Sequence, residues 1–241
     1  MGPAPTAPAL DNLPRLSFVA PKLDEEVGGA DADLQVRLSV EDWPLELEGT
    51  HLHFVLDEGR GGQTTVWPAG RRARFEAAFP MSSLTKQQPL APGEHVLVAF
   101  ACRKAHESIK GEEGLSVVRF WIGTKAAEPI HSPDQPMLVL FHPQPQYEGG
   151  VIQSILVDFY LYHAALGEGR HSVELSISEG LATPQGPRRS IRITEWRPYL
   201  IGNLRPVQKH YTVTLQLYDP SGRPVLSPWG SASQAVPAVH R

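Results

Sequence analysis

Residues 51–57 read HLHFVLD, two histidines at i and i+2 followed by an aspartate, set among apolar residues. On a β-strand, side chains at i and i+2 leave the same face, so His51 and His53 stand side by side. A third imidazole from a neighbouring strand would complete a three-nitrogen site for copper or zinc. The candidate is His95, in GEHVLVAFAC (93–102), with Asp57 or His106 as a fourth ligand. The loop RKAHESIKGEEG (103–114) adds Arg103, His106, Glu107, Ser108 and Lys110 in close succession. Ser, His and Glu are the residue types of a hydrolase, but neighbours on one loop diverge, and a nucleophile needs its base oriented against it by the fold. No G-x-S-x-G elbow accompanies them. Loops at the end of a β-sandwich commonly serve recognition, and Arg103 and Lys110 are expected to pair with Glu107 or Glu112. Glycines 59, 61 and 62 precede no helical pattern, so they form no phosphate cradle.

Which face these residues occupy depends on the elements that carry them. The chain repeats itself. A shift of 121 residues lays Leu34, Val36, Leu38 and Val40 on Ile155, Val157, Phe159 and Leu161, and Leu52, Phe54 and Leu56 on Val173, Leu175 and Ile177. The alternation stays in phase, and a slip of one residue would reverse every face. Further on, His95 falls on His210 if Val96, Val98 and Phe100 match Tyr211, Val213 and Leu215. By this reading Leu52, Phe54 and Leu56 face a core and His51, His53 and Asp57 face outward. In 93–102, Val96, Val98, Phe100 and Cys102 point inward, and His95, Leu97, Ala99 and Ala101 point out. His51, His53 and His95 would then share one outer surface, and Cys102 is expected to be a small core residue. Three apolar residues on that surface favour its being covered by another domain or by a partner.

Each copy contains six or seven period-2 runs separated by turns, and no stretch shows a 3.6-residue apolar stripe. The expected fold is all-β: two tandem immunoglobulin-like antiparallel β-sandwich domains. The first spans 15–124 and the second 134–241, joined by a linker at 125–133 in the proline-bearing stretch KAAEPIHSPDQP (125–136). The opening MGPAPTAPALDNLP (1–14) reads as a disordered Pro/Ala-rich tether, of the kind left when a signal or lipoprotein leader is removed.

Composition narrows the partners. With 22 Lys+Arg against 26 Asp+Glu, the net charge of −4 gives no basic track for nucleic acid. The pairs Arg71-Arg72 and Arg188-Arg189 are isolated. One cysteine excludes an internal disulfide and a multi-cysteine metal site. No apolar run approaches the ~18–20 residues of a membrane span. Membrane attachment would come only through a lipid anchor at the N-terminus. Five tryptophans lie at strand ends or beside prolines, where they seal a sandwich end; Trp67 and Trp121 are the residues a carbohydrate-binding platform would use.

The runs HLHFVLDEG, LAPGEHVLVAFACRKAHESIK and EWRPYLIGNLRPVQKHYTVTLQLYDPSG resemble a family of bacterial envelope proteins, periplasmic or lipoprotein-type, with two tandem immunoglobulin-like domains. The resemblance implies that fold and a location in the periplasm or on the outer cell surface, with no attached activity. The expected function is therefore a non-enzymatic binding or assembly role without a cofactor. A protein partner would be contacted through His51, His53, Asp57 and His95 together with Arg103, His106, Glu107 and Lys110. The rival readings are copper or zinc binding by His51, His53 and His95, and a carbohydrate-binding module.

Overall fold

The computed structural model of the chain describes residues 1–4, 13–28, 34–44, 48–57, 62–68, 72–86, 88–104, 107–132, 134–180, 188–205 and 210–238. The alternating runs become strands, and the chain divides into two compact units, one of residues 9–135 and one of residues 136–241 together with 1–8.

Numbered in chain order, β1 is Gly2–Pro3 and belongs to the C-terminal unit. The N-terminal unit contains β2 (Arg15–Ala20), β3 (Glu25–Val27), β4 (Gln35–Glu41), β5 (His51–Leu56), β6 (Gly62–Val66), β7 (Phe75–Pro80), β8 (Gly93–Cys102) and β9 (Leu115–Ile122). The C-terminal unit continues with β10 (Met137–Glu148), β11 (Val151–Tyr162), β12 (Ser172–Glu179), β13 (Arg188–Ile193), β14 (Tyr199–Ile201), β15 (His210–Tyr218) and β16 (Ser231–Pro237).

In the N-terminal unit one sheet runs β2-β4-β7 and the other β3-β9-β8-β5-β6, all antiparallel except the short β3-β9 pair. Val36, Leu38 and Val40 from β4 share a core with Leu52, Phe54 and Leu56 from β5 and with Leu97, Ala99 and Ala101 from β8. Two sheets that fill one core between them make a sandwich. Phe54 sits at its centre, edge-on to Phe79 at 4.7 Å and to Phe18 at 6.4 Å. The C-terminal unit pairs β1-β14-β11-β10 and β13-β12-β15-β16 around a core containing Ile155, Val157 and Phe159 from one sheet and Val173, Leu175, Val213, Leu215 and Leu217 from the other.

The face assigned to β8 is corrected. Leu52 lies opposite Ala101, Phe54 opposite Ala99 and Leu56 opposite Leu97, so Leu97, Ala99 and Ala101 face the core and Val96, Val98, Phe100 and Cys102 face the other way. The error is one residue of register. Leu52 pairs with Ala101 as Val173 pairs with Leu217 in the C-terminal unit. This places His95 in correspondence with Tyr211, an offset of 116 residues, and not with His210. Odd and even positions of VLVAFAC are equally apolar, so alternation could not choose between the two registers.

The opening segment also differs from expectation. Residues 1–4 do not hang free: Gly2 and Pro3 pair with Leu200 and Tyr199, and Ala4 is buried, its N–H donating to the Pro198 carbonyl. Proline tolerates this edge position because one side of such a strand needs no N–H. The rest of the expected tether, 5–12, lies outside the described residues. Within the expected linker, the Ile130 and His131 N–H groups both donate to the buried Glu94 carboxylate, at 2.6 and 2.7 Å, and the His131 carbonyl accepts from Arg119. That stretch is therefore fastened to the N-terminal unit.

Candidate metal centre and the histidine corner

In the sheet β3-β9-β8-β5-β6 the strands β5 and β8 are covered on both faces. All six residues of β5 are buried, and so are Val96, Val98, Phe100 and Cys102 on the face away from the sandwich core. Strands covered on both sides read as continuous apolar runs, and VLVAFAC is such a run. His51 and His53, expected on an outer surface, do lie opposite in sense to Leu52 and Phe54, but they are 0% and 3% exposed. The face proposed as a partner contact is closed.

Cys102 is the residue that joins them. It lies directly opposite His51 across β5 and β8, as Phe100 lies opposite His53. One ring nitrogen of each histidine and the Cys102 Sγ fall within 4.8 Å of one another. The His51 and His53 rings meet edge-to-face at 4.6 Å, flanked by Trp67 at 4.2 Å on the His51 side and Phe100 stacked at 5.6 Å on the His53 side. Trp67 is 57% exposed, so the indole packed on His51 also reaches solvent.

Both histidines are held through Nδ1. That of His51 donates to the Gly49 carbonyl at 2.9 Å, and that of His53 shares a 3.1 Å hydrogen bond with the Thr65 hydroxyl. A carbonyl only accepts, so Nδ1 of His51 carries its proton and, in the neutral ring, Nε2 holds the lone pair. Support of this kind orients a ligating histidine. Gly49 is required where it stands: its φ is +70°, and a Cβ there would lie 2.8 Å from the Lys104 side chain.

Two imidazoles and a thiol are the donor set of copper and zinc. With Zn–N near 2.0 Å and Zn–S near 2.3 Å, a trigonal ion spaces its ligand atoms roughly 3.5–3.8 Å apart, so a trio bounded at 4.8 Å closes on an ion by small side-chain rotations. The residues fit such an ion. Bound there, it would be held by His51, His53 and Cys102 and would crosslink β5 to β8.

His95 is not part of this trio. Its parity is that of Leu97, on the sandwich-core face, where it stacks on Phe120 at 5.5 Å. Its Nδ1 donates to Asp57 Oδ2 at 2.7 Å and its Nε2 to the Ala91 carbonyl at 2.8 Å. Both partners are acceptors, so the ring carries both protons. Asp57, at φ +49° just past β5, takes the Val96 N–H on Oδ1 at 2.9 Å. Burial opposes the charge on His95, but the Asp57 carboxylate, the Ala91 carbonyl and the nearby Glu94 outweigh it, and the pKa is raised. In the C-terminal unit the corresponding Tyr211 sends its hydroxyl to the Arg205 carbonyl. Each ring thus ties the start of a strand to the chain a few residues upstream.

The 103–114 loop is partly built in. Ser108 and Ile109 are buried, Ile109 N–H donates to the Ala101 carbonyl, and Arg103 N–H to that of Glu107. Lys110 Nζ donates to Ser108 Oγ at 2.6 Å. His106 lies outside the described residues, as does the Glu112 side chain. Of the two tryptophans considered for a sugar platform, Trp121 is buried and Trp67 exposed. What the sequence reading missed is Cys102. Its signal was the pairing of LHFVL with its neighbour, which sets a cysteine opposite His51 once the register is known.

No protein-family model matches the chain, and no curated protein matches it. Among solved structures, it is similar to a chain described under structural insight into host cell surface retention of a 1.5-MDa bacterial ice-binding adhesin. The identity is 12% and the TM-score 0.24, over 95% of this chain and 65% of that one. A TM-score of this size does not establish a common fold.

Proposed function

We propose that the protein is a non-enzymatic binding protein whose N-terminal unit holds a copper or zinc ion on His51, His53 and Cys102. The observation that carries this reading is the convergence of two imidazoles and a thiol in a buried site, with the histidines fixed through Nδ1. The site is positioned to tie the two central strands of one sheet, so the ion would serve stability and storage of the metal rather than turnover.

We further propose that each unit is an immunoglobulin-like sandwich. In support, the first, second and fifth principal strands of each unit form one sheet and the third, fourth, sixth and seventh the other. The Tyr211 corner and its His95 counterpart support the same assignment. The proposed location is the bacterial periplasm or outer surface, on the sequence resemblance alone; fractionation of cells expressing the native gene tests it.

The test of the metal reading is a thermal melt of the metal-stripped chain with zinc, and with copper(I) under reducing conditions. An ion at 100 times its Kd stabilises by about 2.7 kcal/mol, roughly 10 °C for a unit of this size. The rise should saturate at one equivalent and vanish in Cys102→Ser and in His51→Ala/His53→Ala. A cobalt(II) complex should show thiolate charge-transfer absorption. Equal shifts in wild type and variants, or none, would overturn the proposal.

A further inference from the structure

The C-terminal unit contains a cavity of about 660 Å³ at one end of its sandwich, walled by the ends of β12 and β13, the segment after β14 and the start of β15. Its floor is apolar: Ile177 and Tyr211 belong to the core of the unit and Leu204 packs against it. Its rim is basic, with Arg188, Arg189 and Arg205 against a single acid, Glu179. Arg188 is 3.6 Å from Glu174. Among the described residues neither Arg189 nor Arg205 is in an ion pair. Arg189 reaches across to the Gly202 carbonyl at 3.1 Å, and the Arg205 carbonyl is held by the Tyr211 hydroxyl, so both sides of the rim are anchored.

A second observation is one of geometry. Arg189 lies directly opposite Ile177 across β12 and β13, and Ile177 shares its face of the sheet with Tyr211, so one arginine of the rim rises from the same side as the apolar floor. Arginines suit oxyanions because their planar, always-charged forks donate in pairs. An apolar floor with a few placed polar groups is the usual composition of a small-molecule site.

We propose that this cavity binds a small amphipathic organic anion, with an aryl or alkyl body over Ile177, Leu204 and Tyr211 and a phosphate, sulfate or carboxylate head on Arg189 and Arg205. The site lies in the unit that does not carry the metal trio and is independent of it. No covalent chemistry is involved. The net positive rim in a chain of net charge −4 makes the cavity a local reversal of the overall field.

The test is isothermal titration of the full chain with phenyl phosphate, inorganic phosphate and benzyl alcohol at low salt. Phenyl phosphate should bind, should bind at least tenfold more tightly than inorganic phosphate or benzyl alcohol, and should weaken as salt rises. Arg189→Gln and Arg205→Gln should each weaken it about tenfold without altering the melting temperature, since both side chains are at the surface. Phenyl hydrogen sulfate and benzoate, titrated next, distinguish which oxyanion is preferred. Absence of phenyl phosphate binding at millimolar concentration, or undiminished binding in both variants, overturns the site. Binding of inorganic phosphate as tight as that of phenyl phosphate overturns the amphipathic ligand.

Discussion

Replacing Asp57 by asparagine should destabilise the protein in acid and much less in alkali. Asparagine tolerates the left-handed backbone at this position and can still accept the Val96 N–H. What it removes is the carboxylate that faces the doubly protonated His95 ring. A hydrogen bond between charged groups contributes about 1.5–3 kcal/mol, and the surrounding burial places this one toward the upper half of that range. The folded-state pKa of His95 is raised, so its contribution is fully present below the ordinary histidine value near 6.5. It is lost as pH rises through the higher folded value. Above that, wild-type His95 is neutral as well, and the amide introduced by the substitution can donate to its Nδ1 while Nε2–H still reaches Ala91. Urea unfolding at pH 5.5 should therefore show a loss of about 2–3 kcal/mol, shrinking to about 1 kcal/mol or less by pH 10. A deficit that stays constant with pH, or grows in alkali, would refute the assignment of charge to this pair.

The remaining expectations concern other parts of the N-terminal unit. The Arg119 guanidinium and then Lys125 hold the Asp24 carboxyl down to about 2. A depressed carboxyl stabilises above its unfolded pKa near 3.8 and loses that contribution as pH falls toward 2. Asp24→Asn should thus cost at most about 2 kcal/mol at neutral pH, with acid-unfolding curves of wild type and variant converging only as the pH nears about 2. Phe54 is fully buried between Phe18 and Phe79, so Phe54→Ala should cost about 3–5 kcal/mol in urea unfolding.

How much of this was legible in sequence depends on where the apolar pattern was one-sided. Leu52, Phe54 and Leu56 alternate with polar neighbours, as do Val173, Leu175 and Ile177, and both triplets are in the cores the alternation assigns. In 93–102 both parities are apolar, because that strand is buried on both faces, and the pattern carries no information on which side is which. The slip moved His95 onto the wrong face and Cys102 out of the metal trio. It also hid that Glu94 is buried: the carboxylate is satisfied by Ile130 and His131, residues some 36 positions away that no local pattern connects to it. The short strands Glu25–Val27 and Tyr199–Ile201 carry too few residues to show a period. The last strand falls on SASQAVP (231–237), whose small and polar residues lack strand character.

The pairing of Gly2 with Leu200 has a consequence for the order in which the protein is assembled. The ribosome makes β1 ahead of the N-terminal unit, yet its partner β14 emerges almost two hundred residues later. Between them the whole N-terminal unit is synthesised and, having all its strands, is free to fold. The C-terminal unit is thus interrupted in sequence by its neighbour, and its first strand waits for a contact of very long range, whose loop-closure cost grows only slowly with length once the intervening unit has compacted. Until then the outer edge of β14 stands open to pairing with another chain. Proteolysis within 5–12 would leave both sandwiches otherwise whole but uncover that edge, converting a seam within one molecule into a place where two molecules can join.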